Sequence, residues 1–339
     1  MSVRDRLGLP FRDGQLAVPE SGSTVVWNGS PRPFYGSLPR ERACFVQGDW
    51  VRSQRFSRDG FRTGTTNTGL ASLAIVEINR SRKATLGLIG IAYSGLETGG
   101  TLVIDGNRDM GIDGILNAVR SRHPVNGSIS KQHGRVFWLT RHGDVPGDFR
   151  QWKRLLEPRR NGDGFFTVPN LFSSEAVDPG SALLADALSP IRGHGADFGS
   201  GWGWLSAQAL ANNPGIASLS LIDCESEAIK CARLNVRDNR ARFTWADIMS
   251  CTFDRKLDFV LMNPPFHRTT MPEPGLGIGF VRRAAAVLHS SGSLHLVANR
   301  HLPYEETVKS CFRSWRTVSE ANGYKAIRAR KPRSRIRPV

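Results

Sequence analysis

Cysteine is scarce in this chain: five residues in 339 (Cys44, Cys224, Cys231, Cys251 and Cys311), scattered and without a C-x-x-C pair. That distribution argues against a disulfide framework and a thiolate-held structural zinc, so no metal site is expected and a reduced, cytoplasmic setting fits. Long apolar runs are missing as well. None approaches the roughly 20 residues that a bilayer-crossing helix needs, so no membrane association is expected. The opening MSVRDRLGLPFRDG lacks the apolar centre of a secretory signal, which argues against secretion. Acid is in short supply relative to base: 30 Asp+Glu face 46 Lys+Arg, for a formal net charge of +16. A field of that sign favours a polyanion, and nucleic acid is the commonest one in a cytoplasm, although plain solubility charge gives the same total. The remainder, 40% hydrophobic and 22% charged, is a globular composition with length enough for two domains.

Residues 1–60 are rich in Gly, Pro, Ser and Arg (NGSPRPFYGSLPRER) and read as loops and short strands. From about residue 67 strand and helix patterns alternate: TGLASLAIVEIN, KATLGLIGIAYSGL, GGTLVIDGN, GIDGILNAVRSR and RVFWLTR. Such alternation predicts a parallel-sheet α/β unit. Residues 141–164 are polar and broken by Pro and Gly, which suggests a connection with a short helix at FRQWKRLL. A second series follows, with strands at HGADFG, SLSLID, RFTWAD, LDFVLMN, GSLHLVAN and GYKAIRAR and helices at WLSAQALAN, SEAIKCARLNVRDN and GIGFVRRAAAVLHS. The pattern predicts a doubly wound sheet. The final RARKPRSRIRPV, arginine-rich, proline-broken and without acid, reads as a flexible phosphate-binding tail or a merely solvated end.

Chemistry concentrates at the ends of the second series of strands. DFGSGWG places Gly199, Gly201 and Gly203 at a strand-to-helix turn, where a ligand can approach backbone amides closely. The next strand ends at Asp223, an acid suited to a ribose diol, and the third offers Asp247 to an adenine amino group. The fourth ends at Asn263, followed by Pro264 and Pro265, which cannot donate ladder hydrogen bonds and so stop the strand abruptly. Any one of these acids could be a helix cap. Four polar strand ends in succession favour a site, because open α/β sheets bind ligands at that edge. His267 is either a proton acceptor or a residue that orients the loop, and Trp202 and Trp204 read as packing residues.

D-x-G-x-G-x-G followed two strands later by N-P-P-F resembles the S-adenosylmethionine-dependent methyltransferases that modify exocyclic or amide nitrogens. NPPFH with the later VAN, LPY and YK segments, and the lead-in carrying Phe172, Ser173, Asp178, Gly180, Ser181 and Leu183, is similar to the bacterial ribosomal RNA guanine-N2 methyltransferases, the small-subunit type in particular. The resemblance covers residues 165–330 firmly and the first half weakly. It implies tandem Rossmann-like methyltransferase domains: a degenerate one at 1–150 serving as a substrate platform, a catalytic one at 165–331 with a seven-stranded, mostly parallel sheet, and a basic tail at 332–339. The first half has neither motif, so one S-adenosylmethionine per chain is expected. The implied cofactor residues are Asp197, Phe198, Gly199, Ser200, Gly201, Gly203, Asp223, Cys224, Asp247, Ile248 and Asn263. The implied catalytic set is Asn263, Pro264, Pro265 and Phe266, with Asn263 and the Pro264 carbonyl accepting hydrogen bonds from the target amine and Phe266 stacking on an extruded base. Ribosomal RNA or a ribosomal subunit particle is the implied partner of a monomer containing an internal pseudo-dimer. Methylation of adenine N6 or of a glutamine amide remains an alternative, as does an RNA-binding assembly factor without turnover.

Overall fold

The computed structural model describes residues 5–264 and 274–333. The chain divides into two compact units, residues 1–158 with 168–170, and residues 159–167 with 171–339.

The first unit contains α1 (Leu9–Arg12), β1 (Thr24–Trp27), β2 (Ala43–Val46), α2 (Trp50–Arg58), β3 (Arg62–Gly64), β4 (Ala71–Glu77), α3 (Arg82–Ser94), β5 (Leu96–Asn107), α4 (Ile112–Arg120), β6 (Gly127–Lys131), β7 (Gly134–Thr140) and α5 (Gly147–Lys153). The short strands β1–β3 of the loop-like opening are full members of a seven-stranded sheet ordered β3-β2-β1-β4-β5-β7-β6. Residues 147–153 are not part of a free connection. Phe149 is fully buried and stacks on Tyr93 with ring centroids 3.9 Å apart, so burial of one aromatic fastens α5 to α3 within the first unit.

In the second unit a two-stranded ribbon, β8 (Arg159–Arg160) and β9 (Phe166–Thr167), precedes α6 (Pro179–Asp186), β10 (Gly193–Phe198), α7 (Trp204–Asn212), β11 (Ile216–Asp223), α8 (Ser226–Asn235), β12 (Ala241–Trp245), β13 (Leu257–Met262), α9 (Pro274–Val287), β14 (Leu288–Asn299), α10 (Tyr304–Cys311), β15 (Phe312–Ala321) and β16 (Tyr324–Pro332). Its sheet runs β12-β11-β10-β13-β14-β16-β15, the same permutation as in the first unit. β10–β14 pair in parallel, and the β15–β16 hairpin closes the edge antiparallel to β14. Parallel strands are covered on both faces and therefore read as continuous apolar runs. In β13, Phe259–Met262 are all buried, between one core cluster under α9 and α10 and another under α6 and α7.

Two expectations change here. β15, with α10 before it, has no counterpart among the strands read from the sequence; its stretch Arg313–Thr317 is exposed and shows no inside-outside alternation. Arg328 and Arg330, shared in the sequence reading by the GYKAIRAR strand and the arginine-rich end, are strand, and β16 runs on to Pro332; residues 334–339 lie outside the described residues.

Candidate cofactor and methyl-transfer site

The cleft opens where β10 gives way to α7. Gly199, Gly201 and Gly203 all have positive φ (74°, 54° and 90°), a region that costs any residue with a Cβ. Gly203 has a second reason to be glycine: a Cβ there would stand 3.1 Å from that of Ala232 and 3.0 Å from Cγ2 of Val236. Its absence lets the start of α7 lie against α8. The turn is tied to β11 by Gly199 N–H and Ser200 N–H, both donating to Ile222 O (2.9 and 3.1 Å). Gly201 N–H donates to Oδ2 of Asp223 (2.8 Å), whose Oδ1 accepts from Glu225 N–H (2.9 Å). Asp223, the last residue of β11, thus holds the turn in shape.

Beneath the turn, Asp197 is buried and accepts a 2.7 Å hydrogen bond from Ser206 Oγ. Burial pushes its pKa up to about 7; the Ser206 hydroxyl pulls the other way and the Asp223 charge adds to the rise. Ser200 is also buried, and its hydroxyl has no hydrogen-bond partner among the described residues. A buried polar atom left unsatisfied beside a cleft fits a ligand that completes it. Trp202 lies under the turn, its Nε1–H donating to Phe172 O (3.0 Å) and its carbonyl accepting from Asn235 Nδ2 (2.8 Å). The indole therefore pins the Phe172–Ser173 segment to the glycine turn, a packing role consistent with its burial.

Beside the turn stands Asn263, the residue after β13, whose Met262 is in register with Phe198 of β10. Its Nδ2 donates to Oδ2 of Asp178 (2.8 Å) and to Oγ of Ser181 (2.9 Å). Asp178 is the N-cap of α6, and the same Oδ2 accepts from Ser181 N–H (2.7 Å). Phe172, Asp178, Ser181, Asp197, the 199–203 turn and Asn263 line one open cleft.

Residues 163–328 match the family model described as the methyltransferase small domain. Ribosomal RNA small subunit methyltransferase C of Shewanella loihica is 30% identical over 256 residues, 72% of each chain. Its counterpart from Shewanella pealeana is 34% identical over 248 residues, covering 70% of this chain and 71% of that protein. The chain belongs to the ribosomal RNA small subunit methyltransferase C family. With the family's Shewanella amazonensis protein, the match (33% over 163 residues) is confined to 48% of this chain and spans about half of that relative, 47%. The solved T. thermophilus 16S rRNA N2 methyltransferase RsmC, in complex with AdoMet and guanosine, superposes with a TM-score of 0.77 at 21% identity, over 97% of this chain and 92% of that one. At that identity the likeness is one of fold, and it extends through both units.

Within this member of the methyltransferase C family, Asp197, Gly199, Ser200, Gly201, Gly203 and Asn263 share the cleft. Phe198 and Ile248 are core residues, 0% and 3% exposed. Cys224 is present as a carbonyl that accepts from Trp245 Nε1 (2.8 Å), and Asp247 Oδ1 accepts from Met249 N–H (3.2 Å), turning the chain after β12. Pro264 is buried; Pro265, Phe266 and His267 lie outside the described residues.

The first unit fills the corresponding edge with its own side chains. Glu77, the last residue of β4, accepts from Ser30 N–H (2.9 Å), Ser30 Oγ (2.5 Å), Arg32 Nη2 (2.5 Å) and the Tyr35 hydroxyl. Arg32 also reaches Asp105 (3.0 Å), which Arg6 grips through Nε (2.7 Å) and Nη2 (3.1 Å). Burial works against the Arg32 charge, but Glu77 leads the surrounding groups that hold its pKa above the ordinary arginine value. Nothing in the sequence marks these residues as a network, since they are distant in the chain and of common types.

Proposed function

We propose that this chain transfers the methyl group of S-adenosylmethionine to the exocyclic N2 of a guanine in small-subunit ribosomal RNA. The observation that carries the reading is the placement of Asn263 beside the glycine turn in a single cleft, with its amide nitrogen already engaged by Asp178 and Ser181. That leaves the carboxamide oxygen as the acceptor for an incoming amine.

The donor set fits the cofactor chemically. Gly199–Gly203 offer backbone close to the ligand, Ser200 an unsatisfied hydroxyl, Asp197 a carboxylate for an ammonium, and Asp223 a carboxylate at the end of β11 for a ribose diol. Asp247, one strand further out, is assigned to the adenine. When bound, the cofactor supplies a methyl group on a sulfonium, an electrophile needing no metal.

The chain's task is to make a poor nucleophile usable. The lone pair of an exocyclic base amine is delocalised into the ring. Hydrogen bonds from its two protons to Asn263 Oδ1 and the Pro264 carbonyl localise that pair, and fixing the amine in line with the methyl removes the entropic part of the barrier. The proline pair holds these two acceptors in fixed relation, and Phe266 stacks on the extruded base. The first unit, its strand edge occupied by Arg32 and Tyr35, serves the substrate and leaves the cofactor to the second. The protein acts as a single chain.

Single-turnover methylation of a small-subunit RNA particle, with nucleoside analysis of the product, tests the proposal. N2-methylguanosine is expected. Methylated adenine would keep the mechanism and overturn the substrate; cofactor binding without transfer would support an assembly factor instead.

A further inference from the structure

A carboxamide presents nearly the same shape with its oxygen and nitrogen exchanged, and the terminal torsion that exchanges them is soft. For a residue whose oxygen must meet an N–H donor this matters, because the flipped amide would set NH2 against NH2. The structure contains a device against that flip. Oδ2 of Asp178, as a carboxylate oxygen, can only accept, so the Asn263 atom 2.8 Å from it is the nitrogen. Ser181 Oγ, 2.9 Å from the same nitrogen, takes its other proton.

Resting on the methyl-transfer reading above, we propose that Asp178 and Ser181 are positioning residues that lock the Asn263 amide with its oxygen toward the target amine. They lie 85 and 82 positions before Asn263, and the start of α6 delivers them. Asp178 is buried, caps that helix through Ser181 N–H (2.7 Å), and meets the Tyr324 hydroxyl at 3.5 Å through Oδ1. Gly180 makes room: a Cβ there would be 2.7 Å from the Tyr324 ring and 3.0 Å from Oδ2 of Asp178. The cap thereby carries a second duty. It fixes a helix start and, through the same oxygen, the polarity of the acceptor that follows β13.

The variants separate these duties. Asp178→Ser keeps a capping oxygen but shortens the side chain away from Asn263. Ser181→Ala leaves the capped backbone N–H in place and removes the second acceptor. Asp178→Asn keeps an oxygen that can serve both donors. With the full-length protein and an RNA particle, the Asp178→Ser/Ser181→Ala pair is expected to lower kcat roughly 10–100-fold, as misplacement of a reacting partner does, with cofactor Kd unchanged and Tm only modestly lower. Asp178→Asn should restore most of the rate. The deciding measurement is epistasis: introduced into Asn263→Ala, the pair should produce no further loss. Wild-type kcat in the paired variant, a loss that persists in full beside Asn263→Ala, or a loss that follows cofactor affinity would each overturn the positioning role. Absence of N2-methylguanosine from the wild-type reaction would instead refute the underlying reading.

Discussion

The Ser206 hydroxyl donates to Asp197 across 2.7 Å, and both residues are fully enclosed beneath the glycine turn. With a pKa held near 7, chiefly by burial, Asp197 is partly protonated at neutral pH. The proposed cofactor carries an ammonium, which favours the ionised carboxylate. Cofactor affinity should therefore rise about tenfold per pH unit up to roughly pH 7 and then level off. Calorimetry across that range checks this, and proton release on binding should appear below pH 7. Asp197→Asn should flatten the profile. In the free protein the sign is opposite. The unfolded group titrates near 3.8 and the folded one near 7, so the folded state holds the extra proton in between and stability falls as pH rises through that window.

Asp223 has a double role that one substitution exposes. Its Oδ2 fixes Gly201 N–H and its Oδ1 fixes Glu225 N–H, and under the proposed function its carboxylate also accepts from the ribose diol. Asp223→Ala should weaken cofactor binding by roughly 10–100-fold, the usual worth of hydrogen bonds to a charged acceptor. Asp223→Asn, which keeps one acceptor oxygen, should lose less. An unaltered Kd in Asp223→Ala would remove this residue from the site.

One cofactor per chain is expected, because Arg32, Tyr35 and Ser30 converge on Glu77 at the first unit's strand edge. A stoichiometry of two would overturn this. Arg32→Ala should not open a second site; it should take from Glu77 its cation while Asp105 keeps Arg6, costing about 1–3 kcal/mol as loss of one partner of a buried group does. A fall in the denaturation midpoint at constant cofactor stoichiometry is the readout.

Charge on the β15–β16 hairpin bears on RNA. Arg316 lies directly opposite Arg328 in the register, Ser314 opposite Arg330, and Arg328 donates to Ser189 Oγ (2.7 Å) and, among the described residues, to no carboxylate. Like charges in direct opposition cost a sheet a few tenths of a kcal/mol or more, a cost that bound phosphates would offset. Arg316→Ser should therefore raise Tm slightly while weakening RNA binding and lowering the salt slope by about one unit per lost phosphate contact. Truncation must begin at residue 334, since residues 328–332 are part of β16. If removing 334–339 leaves the slope unchanged, those residues carry no phosphate contact.

What could be read from the chain in advance follows a physical rule. The glycine turn and the Asn-Pro-Pro stop were legible because they answer local backbone demands: positive φ at Gly199, Gly201 and Gly203, and a strand that must end. The buried parallel strands were legible as apolar runs. Contacts created by the tertiary fold were not, among them Asp178 on Asn263, Trp202 on Phe172 and Arg32 on Glu77. Asp178 could be matched to a motif, but its partner could not be read from it. β15 escaped because an edge strand exposed along Arg313–Thr317 has no alternation to betray it, and β16 outruns the GYKAIRAR pattern because its pairing with β15 continues to Pro332.

Asn263 and the proline pair close the mechanistic question. If the carboxamide oxygen accepts from the target amine, Asn263→Ala should leave the fold, cofactor affinity and most RNA affinity intact while slowing transfer by about two to three orders of magnitude, the typical loss for a preorganised hydrogen-bonding group. Phe266→Ala should act differently, weakening capture of the base by roughly 1–3 kcal/mol of stacking, and Phe266→Tyr should be mild because a π-face remains. His267→Ala should be milder still if that side chain only orients the loop. Single-turnover rates at saturating and limiting RNA separate the two kinds of loss: Asn263→Ala should stay slow at saturation, whereas Phe266→Ala should recover. Full activity in Asn263→Ala would reduce the Asn-Pro-Pro segment to a strand terminator and leave the clamp from Asp178 without a catalytic purpose.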